Sequence, residues 1–435
     1  MRKFRHLQAA FIIALCTAAG GCGLGGTVDS LMTPPMLSEG QEAIYTALEN
    51  AAGKDISLVY PRSGAYRSAF VFYDLDGDGT DEAVVFYEKQ RDSGGSVRVN
   101  ILSYSENDGW RSVYDHAGVG TDIEQVFFTD LGGKGKTKMG IGYSLVTPTE
   151  SAFRLYSFED NALKTEYSDI YYKLIRTDLD KDGGEDIAVI NCNNENHSAS
   201  AALVTCREDK AEAVSRVELS AFAVDISSVV SGNIGSSTPA LFIDSLSGNG
   251  TISTEVIYCV NGELRNPAVL ENSELIAATS RANGLFCADI DGDGIVEIPS
   301  REPFPGYRDA VEMRYITVWN RFENYSVVRK YNSLTVPSKG YCFMLPGRWE
   351  GLVTVKNDPS TGEEVFYKFN SSLSQSRLEL MRIAVCSPSE EEQKAAEGYF
   401  TVTSTSDAVY MAKLGDTDDK LLLTTSEITN NFYLY

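Results

Sequence analysis

The chain has few of the residues on which enzyme active sites commonly depend. Only 3 of its 435 residues are histidine, so almost no residues are available to form a histidine-dependent triad or a zinc site. It contains no H-E-x-x-H, P-loop or G-x-S-x-G sequence. These absences argue against zinc peptidases, P-loop nucleotide hydrolases and serine esterases. Paired carboxylates for glycoside hydrolysis stay open as an alternative, because acidic residues are plentiful.

Long apolar runs are also missing. The longest candidate, residues 9–19, follows three basic residues and is too short to span a bilayer. We therefore predict a signal peptide over residues 1–21. Its end, Ala19-Gly20-Gly21-Cys22, resembles the lipobox of bacterial lipoproteins. That resemblance implies lipidation of Cys22, with ordinary cleavage nearby as the alternative.

The next segment contains glycine and proline without a hydrophobic period. We interpret residues 22–37 as a lipid-anchored tether. With acyl chains on Cys22 as the membrane contact, the expected location is the extracytoplasmic face of a bacterial cell membrane. A short helix is predicted over residues 38–54, because Ser38 and Gln41 form a capping-box pair before a periodic apolar face.

Basic residues are scarce relative to acidic ones. The formal net charge is −23, and removal of the signal peptide takes away three basic residues and no acidic one, which gives −26. A field of this sign repels phosphate backbones and anionic membrane surfaces and concentrates cations. Nucleic acid is therefore excluded as an expected partner.

Cysteines are also few for an extracytoplasmic chain. Disulfides are compatible with that location, and two pairs are candidates: Cys192 with Cys206 across a hairpin, and Cys342 with Cys386. Buried free thiols are the alternative. The residues whose disulfide state the sequence leaves open are Cys192, Cys206, Cys259, Cys287, Cys342 and Cys386.

Against this background the segment Y-D-L-D-G-D-G-T-D-E-A-V-V-F-Y, residues 73–87, is conspicuous. Asp74, Asp76 and Asp78 occupy positions one, three and five of a loop, with a glycine at position six and Glu82 at position nine. Such an oxygen-rich cage suits calcium. An EF-hand would need a glutamate at position twelve, but Val85 stands there inside a strand-like run. We therefore predict a calcium loop between two strands.

The same arrangement recurs along the chain. Two further acidic copies start at positions 178 and 289, and two degenerate copies start at 130 and 231, at intervals of about fifty residues. The degenerate copy at 130 has Lys134 and Lys138 where carboxylates should stand. The candidate metal ligands are Asp74, Asp76, Asp78, Glu82, Asp178, Asp180, Asp182, Asp186, Asp289, Asp291, Asp293 and Glu297.

Each repeat also holds four strand-like segments, which is the plan of a propeller blade. An apolar strand, D-x-D-x-D-G-x-x-[DE] and a second apolar strand resemble the FG-GAP/VCBS repeat of integrin α-chain propellers and bacterial surface proteins. The resemblance implies a mainly β fold: a β-propeller of about five four-stranded blades over residues 55–337. It also implies about three structural Ca²⁺ ions. The Phe-Gly and Gly-Ala-Pro signatures are missing here.

The repeat pattern stops near residue 338. Three strand-like segments, a helix with Ser387 and Glu390 as its capping box, and a final strand region follow. We predict a small α+β domain over residues 338–435.

Taken together, these features favour a non-catalytic, calcium-binding cell-surface lipoprotein that acts as an extracellular binding or scaffold module. Its partner is expected to be a protein or glycan outside the cell. The alternative is a calcium-dependent polysaccharide-active enzyme, a lyase or hydrolase on the propeller face, because some calcium-loop propellers are polysaccharide lyases. A deep acid-lined pocket would favour the enzyme, and a flat aromatic face would favour the binding module.

The lipid anchor can be tested directly. Cys22→Ser should release the protein into the medium, because no other segment of the sequence is long and apolar enough to hold it in a bilayer. Fractionation of cells producing each form gives the measurement. A variant that stays with membranes after a high-salt wash would rule out the lipoprotein interpretation.

Overall fold

The computed structural model describes residues 37–89, 95–132, 136–147, 151–193, 198–220, 223–270 and 273–435. The predicted signal peptide, Cys22 and nearly the whole tether lie outside these ranges, as does Lys134. Among the residues described, no helix has the length and apolar character needed to cross a membrane.

The described chain starts with helix α1 (Glu39–Ala52). The Ser38 hydroxyl accepts the Gln41 N–H and the Gln41 side chain accepts the Ser38 N–H, so the predicted capping box is present. Gly53, at φ 95°, ends the helix. Ile44 and Leu48 pack into an apolar cluster with residues of the first sheet, so the helix covers that sheet's outer face.

The first three sheets follow the predicted repeat. In each, consecutive antiparallel strands pair in chain order, and an acidic or degenerate loop joins the first long pair. Sheet 1 has two short strands, β1 and β2, along the same edge of β3. The strands are, in sheet 1, β1 (Ile56–Leu58), β2 (Phe70–Tyr73), β3 (Glu82–Lys89), β4 (Arg98–Ser105) and β5 (Gly109–Ala117); in sheet 2, β6 (Asp122–Thr129), β7 (Lys138–Ser144), β8 (Ser151–Glu159) and β9 (Ala162–Tyr171); in sheet 3, β10 (Lys173–Thr177), β11 (Asp186–Asn193), β12 (Ser198–Arg207) and β13 (Lys210–Glu218).

The remaining sheets depart further from the four-strand plan. Sheet 4 carries an extra short strand and two short helices, α2 (Pro267–Leu270) and α3 (Glu274–Ala278). Its strands, and those of sheets 5 and 6, are, in sheet 4, β14 (Ala223–Ile234), β15 (Thr238–Ser247), β16 (Thr251–Val260), β17 (Glu263–Arg265) and β18 (Arg281–Ala282); in sheet 5, β19 (Ile298–Pro303), β20 (Tyr315–Glu323), β21 (Ser326–Val336), β22 (Tyr341–Met344) and β28 (Phe432–Leu434); in sheet 6, β23 (Val353–Asn357), β24 (Glu364–Lys368), β25 (Glu379–Cys386), β26 (Phe400–Ser404) and β27 (Val409–Leu414).

Apolar side chains on both faces explain why β3 and β11, the strands that follow two of the acidic loops, are almost continuously hydrophobic. In β3, Val85 packs toward α1, whereas Val84 and Phe86 pack against sheet 2. In β11, Val189 packs toward sheet 2 and Ile190 toward sheet 4. The sheets are therefore stacked in chain order, each one buried between neighbours.

The mainly β fold class is confirmed. The apolar clusters join each sheet to the next one along the chain, up to sheets 5 and 6. Within the described ranges, no cluster joins sheet 1 to sheet 5 or sheet 6. The stack is thus a row of sheets without an apolar seam that would close it, and the closed propeller stays a prediction.

The last hundred residues share a sheet with the repeat region. The predicted boundary at 337/338 falls between β21 and β22, which pair with each other over four positions. Strand β28, near the carboxyl end of the chain, pairs with β22 and completes sheet 5. Phe304 and Leu334 also lie in the same apolar cluster as Trp349 and Phe366. Helix α4 (Glu391–Ala396) follows the predicted Ser387–Glu390 capping box, and α5 (Thr425–Asn430) precedes β28.

The candidate disulfides are not formed. All six cysteines of the described chain are free thiols. Cys192 of β11 pairs in register with Ala199 near the start of β12, and Cys206 lies near the end of β12, where it pairs with Ala211. Cys342 and Cys386 lie in sheets 5 and 6. The prediction that the hairpin brings Cys192 and Cys206 face to face is therefore wrong. Asn193 pairs with Ser198, so the centre of the hairpin lies much closer to Cys192 than to Cys206.

The shared sheet gives a prediction about fragments. A fragment of residues 338–435 should lack cooperative unfolding, because β22 and β28 would lose β21 and the core would lose Phe304 and Leu334. A fragment of residues 298–435 keeps all of sheets 5 and 6 and serves as the control. Thermal unfolding followed by circular dichroism measures both. A sharp, cooperative transition in the shorter fragment would show that the 338–435 unit folds independently.

Candidate metal centre

Three loops each bring acidic side chains together directly before a strand of a repeat sheet. Loop 1 (residues 74–82) precedes β3, loop 3 (178–186) precedes β11, and loop 5 (289–297) precedes β19. In each, three carboxylates have oxygen atoms within 4.8 Å of one another. The clustered residues are Asp74, Asp76 and Asp78; Asp178, Asp180 and Asp186; and Asp289, Asp291 and Glu297.

The backbone of the loops explains the sequence motif. The glycine at position six has φ of 88° in Gly79, 90° in Gly183 and 85° in Gly294, a region that L side chains rarely adopt. Its N–H donates to the first aspartate at 2.9, 3.1 and 2.8 Å respectively. The glycine is needed for the turn, and the turn fixes the first carboxylate.

The acid at position nine has a second role. Glu82, Asp186 and Glu297 are all buried, and each accepts the backbone N–H of the apolar residue at position two. The distances are 3.0 Å from Leu75, 3.0 Å from Leu179 and 3.1 Å from Ile290. The position-nine acid therefore ties the beginning of the loop to the strand that follows it.

In loop 3, two carboxylate oxygens have no hydrogen-bond partner among the described residues. Asp178 Oδ1 and Asp186 Oδ1 are buried without a hydrogen-bond partner, and Asp186 is fully buried. Among the described residues, no basic group lies within 4.0 Å of the loop 3 aspartates that cluster. Burial, and then the charge of Asp180, raise the pKa of Asp186 to about 6. Unpaired buried carboxylates are costly, and a bound cation would supply the missing partner.

Loop 1 is more open. Asp76 and Asp78 are exposed and Asp74 is half-buried, and within the described chain none of the three has a basic partner. Burial raises the pKa of Glu82 to about 7, and the charges of the three aspartates act in the same direction. Within the described chain, the clustered carboxylates of loop 1 thus have no ion-pair partner, and the same is true of loop 3.

Loop 5 differs because it contains a basic side chain. Arg321 Nε donates to Glu297 Oε1 at 2.8 Å, and its terminal nitrogen donates to Asp293 Oδ2 at 2.6 Å. The same nitrogen lies 3.4 Å from Asp291 Oδ2, which also accepts the Tyr331 hydroxyl at 2.6 Å. Sequence reasoning missed Arg321 and Tyr331, which follow the loop by more than twenty residues.

Three predicted ligands lie outside the clusters. The carboxylates of Glu82, Asp182 and Asp293 are not among the grouped oxygens. Asp182 Oδ1 instead accepts the Gly184 N–H at 2.8 Å, and Asp293 pairs with Arg321. The remaining nine predicted ligands are brought together in threes.

The degenerate repeats have replaced the acidic cluster by other contacts. At position nine of the second repeat, Lys138 is buried and its ammonium pairs with Glu166 of β9. In the fourth repeat, the Asn233 side-chain amide donates to Gly294 O of loop 5 at 3.0 Å. Lys138 and Asn233 therefore contact neighbouring strands or loops instead of contributing to an acidic cluster.

Comparisons with known proteins give no family. No family model matches the chain, and no curated protein matches it. Among solved structures, the exotype rhamnogalacturonan lyase YesX is similar at 12% identity with a TM-score of 0.27, over 85% of this chain and 64% of that one. The rhamnogalacturonan lyase YesW is similar at 9% identity with a TM-score of 0.29, over 75% of this chain and 68% of that one. The chain thus spans less than two thirds of the length of YesX, and TM-scores this low support no argument about activity.

The raised pKa of Glu82 gives a pH prediction for the calcium-free protein. The ionised carboxylate is disfavoured in the folded state, so Glu82 contributes less stability above pH 7 than below pH 4.5, where both the folded and the unfolded states hold the proton. Glu82→Gln should therefore increase the free energy of unfolding at pH 8 relative to wild type, and the gain should shrink as the pH falls to 5.5. Urea unfolding in chelator at both pH values measures it.

The control is Glu106→Gln, at an exposed turn position of the same sheet. It should change the free energy of unfolding equally little at both pH values. A Glu82→Gln variant that is less stable than wild type at pH 8, and no worse at pH 5.5, would contradict the assigned cost of ionisation.

Proposed function

We propose that the protein is a calcium-binding module that works outside the cytoplasm, and that its ions are structural parts of the repeat sheets. The observation that carries the proposal is loop 3, where Asp178 and Asp186 have buried oxygens without partners beside Asp180. A cation bound there would satisfy oxygens that the folded chain leaves unpaired. Loop 1 has the same motif and the same lack of a basic partner, and would hold a second ion.

The donor set favours calcium over other cations. The grouped atoms are all carboxylate oxygens, which hard cations prefer, whereas zinc sites usually include nitrogen or sulfur ligands. Magnesium requires near-ideal octahedral geometry and keeps several waters. Calcium accepts six to eight oxygens in flexible geometry, which suits a loop whose backbone is already fixed by its own hydrogen bonds.

The structural role follows from where the loops lie. Loop 1 joins β2 to β3 and loop 3 joins β10 to β11, whereas loop 5 leads into β19, the first strand of sheet 5. In each, the position-nine acid anchors the start of the loop. Neutralising the cluster would remove repulsion that opposes this turn. Because the ligands come together only in the folded chain, calcium would stabilise it by mass action, by about 2.7 kcal/mol per site at one hundred times the dissociation constant.

The wider role that we propose is a non-catalytic binding or scaffold module, anchored through lipid on Cys22 and built on a calcium-loop propeller. The sequential four-strand sheets, the FG-GAP/VCBS-like loops and the scarcity of histidine support this part of the proposal. The expected partner is a protein or glycan outside the cell. The strongly negative net charge argues against nucleic acid.

Calcium should raise the melting temperature of the purified protein above its value in chelator. Asp180→Asn should lose part of this increase, because it replaces a charged carboxylate ligand of loop 3 by a neutral amide oxygen while keeping the side-chain size. The matched control is Asp160→Asn, a charge-neutralising change at a side chain that is 96% exposed and far from the loops in sequence. It should keep the full calcium effect.

Melting curves in 2-fold steps of calcium, with magnesium in parallel, provide the measurement. A wild-type melting temperature that is the same in millimolar calcium and in chelator would disprove the proposal. So would an Asp180→Asn variant that responds to calcium as strongly as the Asp160→Asn control.

A further inference from the structure

We infer that Arg321 is a built-in cation that takes the place of calcium in loop 5. This inference rests on the proposed calcium function of loops 1 and 3, and it changes the expected number of ions from three to two. Loop 5 has the same motif as the others, but the structure pairs its carboxylates with a guanidinium.

The contacts of Arg321 reach three of the four acidic positions that the motif would use. The guanidinium is 2.8 Å from Glu297, 2.6 Å from Asp293 and 3.4 Å from Asp291. The Arg321 side chain is 11% exposed, and Glu297 is fully buried. A guanidinium is always charged and presents several donors in a fixed plane, so it can neutralise several carboxylates at once.

Tyr331 engages the carboxylate of Asp291, at loop position three. Its hydroxyl donates to Asp291 Oδ2 at 2.6 Å, the oxygen that also lies near Arg321. The carboxylate at position three is thus engaged by two side chains from β20 and β21. In loop 3 the situation is the reverse, since the buried oxygens of Asp178 and Asp186 have no partner.

Among the described residues, strand register explains why loop 5, unlike loops 1 and 3, has a basic side chain opposite its position-nine acid. The acid at position nine faces a residue on the next strand, and in loops 1 and 3 that residue is small and carries a hydroxyl group. Lys138 pairs directly with Ser157. The other three pairs lie one residue beyond the last paired positions of their strands: Ser103 opposite Glu82, Thr205 opposite Asp186, and Arg321 opposite Glu297.

The residue opposite position nine therefore differs between the repeats, and so does the way in which the charge at the loop is neutralised. A serine or threonine brings no positive charge to the carboxylates, so in loops 1 and 3 a bound cation would have to neutralise them. An arginine at the same position reaches the carboxylates itself, and its charge would repel a divalent cation placed between them. In the second repeat the charge is reversed at position nine, where Lys138 pairs with Glu166.

The consequence is that the two ends of the row of sheets differ in their dependence on calcium. Sheets 1 and 3 would need the ion to neutralise their loops, whereas sheet 5 has its cation in the covalent chain. Because β22 and β28 join the last part of the chain to sheet 5, sheets 5 and 6 would stay folded where calcium is scarce.

The test is to count bound calcium by native mass spectrometry in the purified mature chain. Wild type should bind two ions and Arg321→Gln should bind three, because the freed carboxylates of loop 5 then form a site like that of loop 3. The matched control is Arg329→Gln, on the adjacent strand and paired with Glu302 away from the loop, which should bind two. Arg321→Gln should also gain a calcium-dependent rise in melting temperature that exceeds the wild-type rise.

A second arm covers the case in which Arg321→Gln does not fold. Asp291→Asn in the wild-type background should leave the count at two, because loop 5 holds no ion. A wild-type count of three that falls to two in Asp291→Asn would overturn the inference, as would a folded Arg321→Gln variant that still binds two ions.

The same counts separate this inference from the proposed function. If wild type binds no calcium and Arg321→Gln binds one ion, loops 1 and 3 are not calcium sites but Arg321 does exclude calcium from loop 5. If both bind none, both ideas are wrong.

Discussion

The repeat sheets depend on how clustered carboxylates are neutralised in the loops that lead into β3, β11 and β19. Each acidic loop folds onto its own aspartates through backbone N–H groups and then anchors itself through a buried acid at position nine. This concentrates negative charge beside apolar strands, where the local dielectric is low. In our account calcium compensates that charge in loops 1 and 3 and Arg321 compensates it in loop 5. In the second repeat the cluster is lost, and Lys138 occupies position nine.

This constraint also explains why the strands after the loops are so apolar. The position-nine acid is the first residue of β3 and of β11, and the following residues are buried on both faces, between α1 and sheet 2 in β3 and between sheets 2 and 4 in β11. Holding that acid in place therefore sets the register of a central strand. If the charge of the loop were not neutralised, both the turn and the packing of the strand that follows it would be destabilised.

Much of the local structure could be predicted from sequence because its causes are local. The Ser38–Gln41 capping box, the positive φ of Gly79 and the grouping of the aspartates at loop positions one and three follow from residues within a few positions of one another. The role of Arg321 could not be predicted in the same way. It reaches loop 5 only because the register of β19 and β20 places it opposite Glu297, and that register depends on the connection between the strands.

Long-range pairing also limited the domain and cysteine predictions. The change in pattern at residue 338 is real in the sequence, but β22 pairs backward with β21 and forward with β28, some ninety residues away. Nothing in the local pattern of residues 338–345 marks either partner. Likewise, the register of β11 and β12 pairs Cys192 with Ala199, so symmetry about a polar segment was a poor guide to which side chains meet.

The most direct test of this account is a crystal structure of the protein grown with calcium, with anomalous diffraction data that locate the ions. The account predicts anomalous peaks between the aspartates of loops 1 and 3, and the Arg321 guanidinium between Asp293 and Glu297 in loop 5. A peak in loop 5 with Arg321 displaced, or no peak in loop 3, would contradict it.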